Sequence, residues 1–231
     1  MLKRMAVVML ETAFPSGCTL CGHRLMTSER FICTPCLESL PRTRFTSRKQ
    51  NPLVESLARD CRLEQATSFL YYRPNTPLAL AVRDFKYGGR HGLAHRLGVY
   101  MGESLISSGF FGDADALVPV PMHWRKQMLR GYNQTELLAE GVAEATGIPV
   151  VRLLKARRSH ATQTRKTHEE RIRNVRDSFA FRPPRPEPNH AVIIDDIFTT
   201  GATARECVRT ISEAAPGMRI SLLTLAFAGE L

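Results

Sequence analysis

The sequence lacks any apolar run of roughly 18 residues, the length at which a helix crosses a bilayer, so no membrane insertion is expected. It is also short of acids, with 22 Asp and Glu against 32 Lys and Arg and a net charge of +10. That deficit points to nucleic acid or to strongly anionic small ligands such as phosphates and pyrophosphate, with a merely solvated basic surface as the plain alternative. Beyond residue 36 cysteine is nearly missing: only Cys61 and Cys207 follow the four at Cys18, Cys21, Cys33 and Cys36. A secreted disulfide framework would spread its cysteines, whereas this clustering suggests metal binding in a reducing compartment, hence a cytoplasmic protein. Near the start, Lys3 and Arg4 precede the apolar run Met5–Leu10, but the run is short and Glu11 interrupts it. It reads as an amphipathic helix rather than a secretory signal.

What is present fits one α/β domain with a small accessory module, 231 residues long and 43% hydrophobic. Residues 1–45 carry the helix and the paired cysteines, and residues 50–231 form the larger domain. Within it, Ala66–Tyr72, Ala116–Pro119, Pro149–Leu153, Ala191–Ile194 and Ile220–Phe227 read as strands. Pro52–Cys61, Leu78–Phe85, Leu93–Ile106, Gln134–Thr146 and Ala204–Ala214 read as helices. Alternation of this kind predicts a parallel sheet flanked by helices. Two segments break it: the polar, basic stretch Lys155–Asp177 and the proline-rich Pro183–Pro188. From Arg152 to Arg176 nine Lys and Arg residues face only Glu169 and Glu170, which marks a local positive site.

The sharpest signal is the passage from the apolar run Ala191–Ile194 through Asp195 and Asp196 to Thr199, Thr200, Gly201, Ala202 and Thr203. Backbone N–H groups in such a turn, with a helix N-terminus behind them, suit a dianionic phosphate. The threonine hydroxyls add donors, and Gly201 lets the backbone close around the anion. The two carboxylates suit vicinal ribose hydroxyls or a hydrated magnesium ion beside them. Upstream, Val118-Pro-Val-Pro121 leads into Arg125, Lys126, Arg130, Asn133 and Gln134. There the cations would neutralise pyrophosphate and the amides add hydrogen bonds, unless Asn133 simply caps a helix among incidental arginines. Gln163 and Arg171 sit in the long polar segment, which reads as a lid or as a solvated helix. Lys86, just before Gly88-Gly89, either reaches a phosphate or ends a helix.

Cys18-Thr-Leu-Cys21 and Cys33-Thr-Pro-Cys36, eleven residues apart, offer four thiolates for a tetrahedral structural zinc, forming a small ribbon. A redox role for one pair is the alternative reading.

The turn Asp195–Thr203 resembles the phosphoribosyl-diphosphate signature of type I phosphoribosyltransferases. The resemblance implies that Asp195 and Asp196 act as the catalytic pair on the ribose hydroxyls, while Thr199–Thr203 cradle the 5-phosphate. Over nearly the whole chain, the order of paired cysteines, Phe85-Lys86-Tyr87, Val118-Pro-Val-Pro121, Arg130-Gly-Tyr-Asn-Gln134, Gln163 with Arg171 and Asn174-Val175, and the acidic turn is similar to the ComF family. That resemblance implies a type I phosphoribosyltransferase-like domain behind a zinc module. It further implies phosphoribosyl diphosphate with Mg²⁺ as ligand, and a cytoplasmic role in natural transformation alongside DNA-uptake proteins. Ala215-Pro216-Gly217 departs from the simpler Gly-Ala turn usual in the family. The rival expectation is a non-catalytic factor holding single-stranded DNA on the zinc ribbon and basic surface, with aromatics such as Tyr87 and Tyr132 for stacking.

Overall fold

The computed structural model describes residues 17–47, 51–58, 61–157, 177–182 and 186–229. The expected amphipathic helix at Met1–Phe14, and Gln163 and Arg171 with their basic segment, lie outside the described residues. Four strands, β1 (Ala66–Tyr71), β2 (Ala116–Pro119), β5 (His190–Phe198) and β6 (Arg219–Phe227), form one sheet in the order β1-β6-β5-β2. Every pairing in it is parallel. Both faces are covered, which is why these strands read as continuous apolar runs instead of alternating ones. In β5, Val192 and Ile194 enter one core, and Ala191 and Ile193 enter the other.

The first core lies under α3 (Pro77–Tyr87), α4 (His91–Ile106) and α6 (Gln134–Thr146). The second lies under α7 (Ala202–Ala214) and α2 (Pro52–Leu57). The chain therefore leaves β2 toward one face and β5 toward the other, which opens a crevice between their C-terminal ends. Helix starts follow local chemistry. Asn51 accepts from the amides of Leu53 and Val54, Thr76 accepts from Ala79, and prolines at 52 and 77 occupy the first helical positions. Helices α4 and α6 cross with their backbones in contact: a Cβ on Gly141 would fall 2.0 Å from the His95 carbonyl, and one on Gly98 would fall 2.2 Å from that of Leu138.

Two expectations change. Pro149–Leu153 is not a strand; it makes a single bridge from Val150 to Leu117, because Pro149 removes a ladder donor. The neighbouring strand β3 (Leu154–Ala156) instead pairs antiparallel with β4 (Phe179–Phe181) in a sheet of their own. The stretch from Trp124 to Arg130, to which the sequence reading gave no element, is the short helix α5, capped by His123.

The cysteine module, which carries the short helix α1 (Thr34–Glu38), does not stand alone. Cys18, Ile32 and Cys33 belong to the same core as Leu93 and Leu97 of α4, and the Phe31 ring lies where a side chain on Gly92 would be. Arg90 donates to the Thr19 hydroxyl at 2.9 Å. No helix among the described residues is long and apolar enough to cross a membrane.

Candidate functional site

Strand β5 does not stop before the acids; it runs through them to Phe198, held by β6 along its whole length. Strand β2 ends at Pro119, opposite Ile194, so Asp195 and Asp196 stand just past its edge, in the crevice. Their carboxylates fold back on the strand. The Asp196 amide donates to Asp195 Oδ1 at 2.8 Å, and the Ile197 amide donates to Asp196 Oδ1 at 2.6 Å. Burial, and then the neighbouring Asp196 carboxylate, raise Asp195 to about 7.

The turn that follows is built around Gly201. Its φ of 73° is left-handed, and a Cβ there would meet the Phe198 ring at 2.7 Å, so only glycine closes the chain onto α7. Gly201 brings no capping side chain to α7; the Ala202 amide donates to the Thr200 hydroxyl at 3.4 Å, a long contact that leaves the start of the helix able to take a stronger acceptor. Thr199 is exposed, while Thr200, Ala202 and Thr203 are half-buried. Arg205 braces the turn from behind: one guanidinium nitrogen donates to the Thr200 carbonyl at 2.8 Å, and another donates to the Ser56 carbonyl at 2.6 Å. The sequence reading missed Arg205. Its position one helical turn after Gly201 was the available signal.

Residues from two other elements converge on Asp196. Lys86 Nζ, at the end of α3, lies 2.7 Å from Asp196 Oδ2, and Gln134 Nε2, at the start of α6, donates to the same oxygen at 2.8 Å. Gln134 Oε1 accepts from Arg130 at 3.0 Å. Arg130 also donates to the Tyr87 hydroxyl at 3.0 Å and lies over the Tyr87 ring, 4.7 Å from its centroid. Tyr87 is thus a second member of the group that sequence reasoning did not place in the site. Asn133 caps α6, accepting from the Thr135 amide at 3.2 Å and donating to the Val120 carbonyl at 3.1 Å. It is buried, and its amide fixes the loop after β2 against the helix start. Arg125 does not join the cluster's hydrogen bonds; it is exposed and lies over the Trp124 ring at 5.3 Å.

The four paired cysteines come together on their own module, with sulfurs all within 4.8 Å of one another, a group that could hold a metal ion. Burial raises the Cys18 thiol, but the amides of Cys33, Cys21 and Leu20 outweigh it and bring it down to about 6. Burial and the neighbouring sulfurs push Cys36 the other way. Four thiols this close cannot all ionise without a cation among them, so the donor set suits a thiophilic metal.

No family model matches the sequence. Whole proteins do. The DNA utilization protein YhgH of Salmonella typhimurium is 29% identical over 210 residues, covering 85% of this chain and 91% of that protein. The competence protein ComFC of Bacillus subtilis is 31% identical over 109 residues, 47% of this chain and 43% of the relative. Competence protein F of Haemophilus influenzae is 33% identical over 95 residues, 40% of this chain and 42% of the relative. The chain is thus similar to DNA utilization and competence proteins, over most of its length in the first case and over less than half in the other two. Among solved structures, the chain is similar to the allosteric regulatory enzyme of purine biosynthesis, with 22% identity and a TM-score of 0.41. The match covers 62% of this chain and 29% of that enzyme's. Of the candidate residues outside the acidic turn and the cysteines, the fold brings Lys86 and Gln134 onto Asp196, with Arg130 behind Gln134.

Proposed function

We propose that the crevice between β2 and β5 binds phosphoribosyl diphosphate with Mg²⁺, in a cytoplasmic protein of DNA uptake that carries a structural zinc on Cys18, Cys21, Cys33 and Cys36. The observation that carries this reading is the convergence of Lys86 and Gln134, from separate helices, on the buried Asp196 beside the glycine-led start of α7. Amides and hydroxyls from Thr199 to Thr203 hold the 5-phosphate, and Arg205 keeps that turn shaped. Asp195 and Asp196 orient the ribose hydroxyls. Lys86 and Arg130 neutralise pyrophosphate oxygens once the sugar has taken their present partners, with Asn133 holding their loop and Arg125, Gln163 and Arg171 closing the outer side. Magnesium, bound with the diphosphate, would supply charge neutralisation on the leaving pyrophosphate. Burial and the Asp196 carboxylate raise Asp195, and a cation in the crevice would favour its ionised form. The role in DNA handling is drawn from the relatives, a DNA utilization protein and a competence protein.

Calorimetric titration of phosphoribosyl diphosphate with Mg²⁺ tests the site. Saturable binding is expected for the wild type, and none for Asp195→Asn/Asp196→Asn. Absence of binding to the folded, zinc-loaded wild type would sink the proposal.

A second reading, single-stranded DNA binding, is favoured by a different observation. Tyr87 and Trp124 are 72% and 48% exposed beside the crevice, each with an arginine against its ring. Base stacking on aromatics with basic neighbours is the sequence-tolerant way to hold a single strand. Fluorescence anisotropy with an oligonucleotide is expected to show about tenfold weaker binding for Tyr87→Ala/Trp124→Ala, and a steep fall with salt for the wild type.

A further inference from the structure

A cavity of about 250 Å³ opens at the outer edge of β1, far from the crevice. The segment leaving the cysteine module runs antiparallel along that edge: the Tyr71 amide donates to the Pro41 carbonyl at 2.7 Å, and the Thr43 amide donates to that of Phe69 at 3.1 Å. The chain then turns away at Arg44, whose φ is 56°, and the recess left behind is closed by Ser104 and Leu105 near the C-terminus of α4. Helix α4 begins beside the crevice, where His91 meets Tyr132 with ring centroids 4.0 Å apart. Thirteen residues of helix separate His91 from Ser104, about 20 Å.

The walls of this cavity are chemically specific. Arg42 donates to the Ser104 hydroxyl at 2.7 Å and lies over the Phe69 ring, 5.0 Å from its centroid. Among the described residues no carboxylate pairs with Arg42, so its charge meets only neutral groups. Thr67 also lines the cavity, on the same face of β1 as Phe69, and is 1% exposed. Its hydroxyl hydrogen-bonds to no group among the described residues, an arrangement that folded proteins avoid unless something else accepts or donates there. A guanidinium, the hydroxyls of Thr67 and Ser104, and an aromatic wall surround one small space. Donors from several directions match a tetrahedral anion better than a planar carboxylate, and the space is too small for a larger organic body.

We propose that this cavity is a second anion site, one that takes a small phosphomonoester with Arg42 as the charge partner and Thr67 as a hydroxyl donor. It is independent of the crevice and of the reading given to it.

Because the turn at Thr199–Thr203 would also attract phosphate, the test must resolve position. Inorganic phosphate and glycerol 3-phosphate are titrated into protein labelled at threonine methyls and followed by NMR. Saturable shifts are expected at Thr67 and Thr46, in the wild type and equally in Asp195→Asn/Asp196→Asn, with acetate producing much smaller ones. Arg42→Gln is expected to weaken the response at these methyls about tenfold or more. Thr67→Val, nearly the same shape, should melt no lower than wild type without phosphate and gain less stability with it. Shifts confined to Thr199, Thr200 and Thr203, or a Thr46 response unchanged by Arg42→Gln, would overturn the proposal.

Discussion

Asp195 and Asp196 are adjacent, yet on a strand buried on both faces they meet different surroundings. Asp196 is held by Lys86 and Gln134, while Asp195 sits toward α7, where burial and its neighbour raise it from 3.8 to about 7. A carboxyl whose folded pKa lies above its unfolded one binds its proton more tightly when folded. Stability is therefore highest below the unfolded pKa and declines as pH rises from about 4 to 7. The full shift corresponds to about 4 kcal/mol, and partial solvent contact reduces it to on the order of 1–2 kcal/mol. Asp195→Asn is expected to melt roughly 4 °C above wild type at pH 8 and no higher at pH 4. Equal melting temperatures at pH 8 would show that the carboxylate is not destabilising there. Lys86 opposes the rise, so Lys86→Met should move the Asp195 midpoint further up, as read from carboxyl carbon shifts in a pH titration.

At the scale of elements, much was legible. Ala116–Pro119 and Gln134–Thr146 match their expected bounds because short apolar runs and Gly147 punctuate the chain there. The helix Trp124–Arg130 was hidden because its outward face carries Trp124, Met128 and Leu129, which breaks the usual one-sided pattern. The acidic turn was legible as a contiguous motif. The link from Arg130 through Gln134 to Asp196 was not, since only the fold brings positions 62 residues apart into contact. The crossing of α4 and α6 offers a sharp element-scale prediction. Gly141→Ala forces a methyl against the His95 carbonyl and should cost about 3 kcal/mol in urea unfolding. At the other end of the sheet, His190 contacts Asp113 through Nδ1 at 3.0 Å and Ser221 through Nε2 at 2.9 Å. The order Asp-His-Ser resembles a hydrolase triad, but His190 is 2% exposed and Ser221 fully buried. Substrate has no access, and the trio serves to tie the starts of β5 and β6 to the loop before β2.

For the molecule as a whole, the shared core of the cysteine module and α4 decides how metal affects stability. Were the module a separate ribbon, a chelator would melt it and leave the sheet domain intact. Since Cys18, Ile32 and Cys33 lie in one core with Leu93 and Leu97, removing zinc should lower a single calorimetric transition. Phosphoribosyl-diphosphate affinity should fall with it, because Arg90 ties the module to the α3–α4 turn that follows Lys86. A separate early transition with unchanged ligand affinity would contradict that coupling.

The contact between Lys86 and Asp196 has a kinetic side as well. Any sugar that reaches Asp196 must first part it from the lysine. At high ligand concentration, the observed association rate should level off at the rate at which this pair opens, and Lys86→Met should bind more weakly while losing that plateau.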